Sequence, residues 1–169
     1  MTDSDFRDAY RRHKDVLYRF ARRMTGSGFV AEDIVQDCFL ALWNKPAAYH
    51  PNRGPLRAFL LGIARNLILK RWRDERPEEI LDDDVSICGP IDLVRVERAE
   101  AVGKAVQLLP ALQREALILA EYEDLSLEEI AIATEAELAA VKSRLHRARE
   151  NLRRMLAPLL EGESQTYGT

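Results

Sequence analysis

The stretch LSLEEIAIATEAELAAVKSRLHRARENLRRML, residues Leu125–Leu156, predicts two helices joined by a short turn. SLEE near its start is typical of a capping box, in which the Ser126 hydroxyl accepts from the Glu129 amide while the Glu129 carboxylate accepts from the Ser126 amide. A short helix is therefore predicted from Leu127 to about Thr134. A longer helix is predicted from about Leu138 to Leu156.

Positive charge concentrates on the longer helix. Residues 141–154 include five arginines and one lysine, although the chain has a formal net charge of −3. At helical spacing one stripe is apolar: Val141, Leu145, Ala148, Leu152 and Leu156. About 80–120° around the helix lies a second, basic stripe, formed by Lys142, His146, Arg149 and Arg153. The remaining exposed arc contains Ser143, Arg144 and Arg147.

This layout indicates a helix-turn-helix whose second helix enters the major groove of DNA. Arginine would read guanine edges there, and lysine or serine would bind phosphate. The alternative is an ordinary surface helix in which arginine stems cover apolar neighbours.

Composition limits the class of protein. With 169 residues, 47% apolar and 31% charged, the chain suits a globular protein of one domain or two small ones. It has neither an apolar run of membrane-spanning length nor a signal-peptide-like start, so we expect a cytoplasmic protein without membrane insertion. The two cysteines and three histidines predict neither a disulfide framework nor a metal or other cofactor. Cys38 is expected in the core, and Cys88 is given no role.

Charge is segregated along the chain. Residues 1–73 have 14 Lys and Arg against 7 Asp and Glu, a net of +7, and residues 74–125 have 5 against 14, a net of −9. Two basic surfaces separated by an acidic spacer favour a polyanion partner, although solvated helix faces remain the simpler alternative. The acidic segment should also oppose DNA binding by the free chain.

Helical periodicity recurs outside the helix-turn-helix, and strand-like alternation does not, so the fold class is all-α. Further helices are predicted at 6–24, 30–43, 56–73 and 93–108, and another after Pro110. They divide into an N-terminal domain (1–75), an acidic linker (76–95), a C-terminal domain (96–160) and a disordered tail (161–169).

Two parts of the chain resemble the same family. Leu125–Leu156 resembles the −35-reading domain of bacterial sigma-70 family factors, above all the extracytoplasmic-function (ECF) group. In the N-terminal half, AEDIVQDCFLALW (31–43) and PNRGPLRAFLLGIARNLI (51–68) resemble that group's polymerase-binding and −10-reading domain. The resemblance runs from about Asp5 to Leu156.

The resemblance implies a protein that binds core RNA polymerase and directs it to one promoter class. Its partners would be the β′ coiled coil and the β subunit of the polymerase, promoter DNA and an anti-sigma factor. The polymerase would perform the chemistry, and no catalytic motif is visible in this chain, so an enzyme is not expected.

Three sets of site residues follow. Carboxylates beside a leucine on one side of the second helix suit a basic, partly apolar partner helix, and by resemblance the β′ coiled coil would contact Asp33, Gln36, Asp37 and Leu40. The loop at 49–57 and the third helix can hold unstacked bases and a single strand. By resemblance the −10 set is Asn52, Arg53, Arg65, Asn66, Lys70 and Arg73. The −35 set is Lys142, Ser143, Arg144, His146, Arg147 and Arg149.

The helix-turn-helix departs from the family pattern at the turn. Glu135 stands where glycine is usual, and Ala139 and Ala140 replace Gly-Thr. Glutamate is strained at a position that favours positive φ, so the turn could be built differently. Loss of the threonine hydroxyl removes an expected phosphate contact.

Two other functions fit parts of the pattern. A helix-turn-helix regulator that does not replace the primary sigma factor would share the C-terminal half, but the strands of an N-terminal receiver domain are missing from the pattern. A helical adaptor that binds only protein is the other alternative.

Overall fold

The computed structural model describes residues 1–75 and 98–159, and within these ranges it is helical with no strand. The all-α prediction is therefore confirmed. The whole predicted linker, the predicted tail and Cys88 lie outside the described residues, and the linker's place as a domain boundary stays a prediction. The helices are α1 (Asp3–Thr25), α2 (Gly28–Asn44), α3 (Leu56–Glu75), α4 (Arg98–Leu108), α5 (Ala111–Leu117), α6 (Leu127–Thr134) and α7 (Leu138–Met155).

The first three helices pack together. α1 begins at a capping box in which Thr2 and Asp5 exchange hydrogen bonds, and it ends at Gly26 in the left-handed conformation. Two short 3₁₀ turns, Pro46–Ala48 and Pro51–Arg53, form the predicted loop before α3. The side chains at the centre of this bundle have no exposed surface; the largest are Leu17, Phe20, Met24, Leu42, Leu60, Leu61 and Ile68.

The predicted helix after Pro110 has two parts. α5 continues into a π-helical turn, Ile118–Tyr122, and its buried face packs against α7. At this contact the amide of Asn151 donates to Oε1 of Gln113 over 2.7 Å. The predicted apolar stripe of α7 is buried at Val141, Leu145 and Ala148 and partly buried at Leu152 and Leu156, and Asn151 and Met155 complete the buried face.

The helix-turn-helix forms as predicted, with a turn of the usual kind. The Ser126 hydroxyl accepts from the Glu129 amide over 3.1 Å, and the Ser126 amide donates to the Glu129 carboxylate over 3.4 Å. Glu135 follows α6 at φ 51° and ψ 43°, in the left-handed region that glycine normally occupies. The expectation of a differently built turn was wrong: Glu135 adopts the left-handed conformation despite its side chain.

The N-terminal and C-terminal helices share one apolar core. α3 packs against α6 so closely that a Cβ at Gly62 would lie 3.0 Å from the carbonyl oxygen of Ala133. α1 also contacts α4 and α5. The sequence predicted two domains but gave no sign that they would lie face to face.

We predict that Glu135→Gly stabilises the protein. A left-handed residue with a Cβ costs roughly 1–2 kcal/mol, while the added chain entropy of glycine offsets part of the gain, so the free energy of unfolding should rise by up to about 1 kcal/mol. Urea unfolding measures it. The matched control is Glu128→Gly inside α6, which should lower the free energy of unfolding by up to about 1 kcal/mol. If both variants lowered the free energy of unfolding equally, Glu135 would not be strained.

We predict that Cys38 is chemically inert in the native protein. Its side chain is fully buried, and burial, with a smaller contribution from the charge of Asp37, raises the pKa of the thiol to about 12. Since the thiolate is the nucleophile, iodoacetamide at pH 8 should leave Cys38 unmodified. Peptide mass spectrometry measures the labelling, and labelling in urea provides the positive control. Stoichiometric labelling of native Cys38 would show that α2 opens readily.

Candidate polymerase and nucleic-acid interfaces

The predicted −35 residues form a basic surface on α7. Lys142, Ser143 and His146 are exposed in its first turns, whereas Arg144 and Arg147 are partly buried. Nη2 of Arg149 lies 2.6 Å from Oε1 of Glu121 in a surface ion pair. The first turns of α7 thus present polar and basic groups, and Arg149 is engaged by a neighbouring carboxylate.

The predicted −10 residues divide into an exposed group and a covered one. Asn52 and Arg53 are exposed on the second 3₁₀ turn, and Asn66, Lys70 and Arg73 are exposed along α3. The side chain of Arg65, by contrast, is only 14% exposed. The C-terminal helices therefore cover one residue of the −10 set, Arg65.

Arg65 is covered by a carboxylate that sequence reasoning missed. Nε of Arg65 donates to Oε2 of Glu115 over 2.9 Å, and Nη1 donates to Oδ1 of Asn66 over 3.2 Å. Glu115 has no exposed surface, and its Oε1 has no hydrogen-bond partner. Burial raises the pKa of the Glu115 carboxyl, although the cations of Arg65 and Arg144 act to lower it. The only sign of this burial in the sequence was that Glu115 lies among the apolar residues of α5.

Ion pairs at Arg57 and Arg19 also join the N-terminal and C-terminal parts of the chain. Arg57 donates from Nε and Nη2 to the two carboxylate oxygens of Glu129, over 2.9 and 3.0 Å. Arg19 makes the same two-pronged contact with Glu123 over 3.1 and 2.9 Å. Glu129 was identified from sequence only as a capping residue, and Glu123 was not assigned.

The predicted polymerase-binding residues lie on both flanks of α2. Gln36 and Leu40 are exposed and line a groove of about 580 Å³ between α1 and α2. Asp33 instead forms a 3.0 Å ion pair with Arg71 of α3, and Asp37 is partly buried.

The walls of this groove are largely apolar and aromatic. Phe6 and Tyr10 of α1 face Phe39 of α2, with ring centroids 6.1 and 5.0 Å apart. Leu40 and Trp43, each about half exposed, continue the apolar surface. Sequence reasoning found Leu40 but assigned none of the aromatic residues.

Residues 1–75 and 98–159 contain no group of His, Cys, Asp and Glu placed to hold a metal ion. Within the same ranges no helix is long and apolar enough to span a membrane.

An all-helical chain with a basic helix-turn-helix and a second cationic helix defines a DNA-directed transcription factor. Family comparison makes the class specific: residues 9–78 match Sigma-70 region 2, and residues 99–152 match Sigma-70 region 4. The chain belongs to the ECF group of RNA polymerase sigma factors, which direct transcription initiation.

Relatives match along nearly the whole chain. ECF RNA polymerase sigma factor SigL of Mycobacterium tuberculosis is 32% identical, with 90% of this chain and 89% of SigL covered. SigW of Bacillus subtilis is 29% identical, with 91% of this chain and 90% of SigW covered.

Two solved structures share the fold. The sigma factor RpoE in complex with the anti-sigma factor NepR, from Bartonella quintana, has a TM-score of 0.68 at 28% identity, covering 90% of this chain and 97% of RpoE. CnrH in complex with the cytosolic domain of CnrY has a TM-score of 0.65 at 25% identity, covering 95% of this chain and 90% of the matched chain.

Proposed function

We propose that this sigma factor reads the −35 element with α7 and the −10 element with the Pro51–Arg53 turn and α3. The observation that carries the proposal is the order of the two family matches, each of which falls on a cationic surface. Arginine, lysine and serine on the first turns of a recognition helix suit base edges and phosphates. Exposed Asn52, Arg53, Asn66, Lys70 and Arg73 suit an opened single strand.

We propose that core polymerase binds at the α1–α2 groove. A largely apolar groove that Glu32 and Gln36 of α2 also line suits a helix that is apolar on one side and basic on the other. By the resemblance of α2 to the family, the docking helix would belong to the β′ coiled coil of the polymerase. The polymerase supplies the chemistry, so the sigma factor acts in the cytoplasm without enzymatic activity of its own.

We also propose regulation by an anti-sigma factor. The support comes from the RpoE and CnrH structures, the first of which contains the anti-sigma factor NepR. Co-purification from cells under non-inducing conditions tests this part separately from promoter reading.

Run-off transcription tests the main proposal. Purified core polymerase with this protein should produce discrete transcripts from a subset of genomic fragments, and core polymerase alone should not. Stable binding to polymerase without any discrete transcript would favour an adaptor. Specific DNA binding that activates only polymerase already carrying the primary sigma factor would favour a conventional regulator.

We predict that Asp37→Arg and Leu40→Arg weaken binding to core polymerase. Both place a cation where a basic, partly apolar helix would dock, so the charge is repulsive and the apolar contact at Leu40 is lost. Competition against a labelled sigma factor for core enzyme should show at least a tenfold loss. Asp8→Arg, the same charge change on an exposed part of α1 away from the groove residues, should compete like the wild type, and circular dichroism checks the fold. If Leu40→Arg competed for core enzyme as well as the wild type does, polymerase would bind a different surface.

We predict different effects for two arginines of α7. Arg147 lies in the part of the helix that would enter the groove, so Arg147→Ala should change which −35 sequences are used, at roughly 1–3 kcal/mol for a lost base contact. Arg153 is exposed near the end of the helix, so Arg153→Ala should reduce the use of all promoters alike and weaken the salt dependence. Selection from a library with a randomised −35 element measures both. An unchanged selected sequence for Arg147→Ala would mean that Arg147 reads no base.

A further inference from the structure

We infer that Tyr49 is a positioning residue for the −10 element. Its hydroxyl closes the Pro51–Arg53 turn, and this closure fixes the direction in which Asn52 and Arg53 meet the opened strand. The role rests on the proposed reading of the −10 element by this turn, but the closure itself can be measured in the absence of DNA.

The hydroxyl of Tyr49 joins the two ends of the turn. It donates to the carbonyl oxygen of Gly54 over 3.1 Å. Within the turn, the amide of Arg53 donates to the carbonyl oxygen of His50 over 3.0 Å. A side-chain bond at the base and a backbone bond above it thus enclose residues 50–53.

The ring of Tyr49 is fixed to α3. It is partly buried and lies against the ring of Phe59, with centroids 5.4 Å apart and ring planes inclined at 51°. Aromatic pairs at such a separation attract one another beyond the effect of burial alone. Phe59 in turn packs against the apolar core. The hydroxyl therefore projects from a fixed ring, and its hydrogen bond ties the turn to the helix that carries the other −10 residues.

The groups that would contact DNA are separate from the group that holds them. Asn52 and Arg53 are exposed in the turn, whereas Tyr49 and Gly54 at its base are partly buried. Pro51 restricts its own φ, but the distance between the two ends of the turn is set by the hydrogen bond. Because a site discriminates only when its donors and acceptors are held in place, the closure affects selectivity as well as affinity.

Amide exchange in the free chain tests the closure. Tyr49→Phe keeps the ring and its contact with Phe59 and loses only the hydroxyl, so circular dichroism should show native helicity. Exchange of the Arg53 amide, measured by NMR, should accelerate about fivefold, because the turn opens more readily without its bond at the base. Tyr122→Phe is the matched control, since the ring face of Tyr122 contacts Arg23, and it should leave this exchange unchanged. Wild-type exchange in Tyr49→Phe would overturn the closure.

Binding to two DNAs tests the effect on promoter reading. In complex with core polymerase, Tyr49→Phe should bind a fork that exposes the −10 non-template strand about fivefold less tightly, since one hydrogen bond is lost. A duplex that contains only the −35 element should bind as it does to the wild type. Selection from a library with a randomised −10 element should give less restricted −10 sequences. Equal losses on the fork and the −35 duplex would indicate a general structural defect and would overturn the positioning role.

A double-variant cycle tests whether Tyr49 acts through Asn52. Asn52→Ala removes a side chain that would contact the strand. If Tyr49 positions this side chain, the loss of fork affinity in Tyr49→Phe combined with Asn52→Ala should be smaller than the product of the two single losses. A loss equal to that product would mean that the two residues act independently, against the positioning role.

Stacking of Tyr49 directly on an unpaired base gives a different pattern. Phenylalanine stacks on bases as tyrosine does, so Tyr49→Phe would then bind the fork like the wild type while Tyr49→Leu would bind it poorly. That result would overturn the positioning role. If Asn52→Ala and Arg53→Ala both left fork affinity and −10 selection unchanged, the proposed reading by the turn would be wrong instead, and faster exchange at Arg53 in Tyr49→Phe would still show the closure.

Discussion

The arrangement of this molecule depends on the contact between α3 and α6. Because Gly62 has no side chain, the two helix backbones approach one another, and this approach brings Arg57 within hydrogen-bonding distance of Glu129 and Arg65 within reach of Glu115. A larger residue at Gly62 would separate all these groups together. Contacts of α1 with the C-terminal helices, including the Arg19–Glu123 pair, extend the same interface.

The segregation of charge along the chain corresponds to specific ion pairs at this contact. The N-terminal domain is basic, and the acidic segment 74–125 contains Glu115 and Glu123. Summed charge predicted that this segment would oppose DNA at a distance, where salt screens the interaction within about 10 Å. The structure places these two carboxylates in direct contact with arginines, where screening is weak because little water separates the charges. Pairing with these two carboxylates therefore acts on Arg19 and Arg65 more strongly than the net charge of the segment does.

The α1–α2 groove and the interdomain contact lie on different parts of the N-terminal domain. The groove is lined by Phe6, Tyr10, Gln36, Phe39 and Leu40, whereas the C-terminal helices lie mainly on α3 and one end of α1. The proposed polymerase site therefore does not overlap the contact between the two halves of the chain.

The sequence by itself determined the helices, the capping box at Ser126, the basic face of α7 and the family, because these depend on local spacing and on short-range hydrogen bonds. Helical periodicity correctly placed Val141, Leu145 and Ala148 on the buried face of α7. Only the tertiary structure decided that Arg65 is covered, that Asp33 pairs with Arg71 and that Glu115 is buried. These facts involve residues separated by 38 or 50 positions, and no local pattern encodes which of several exposed carboxylates a given arginine will meet. The accommodation of Glu135 in the left-handed turn was likewise a tertiary outcome, since packing of α6 and α7 fixes a conformation that glutamate alone would disfavour.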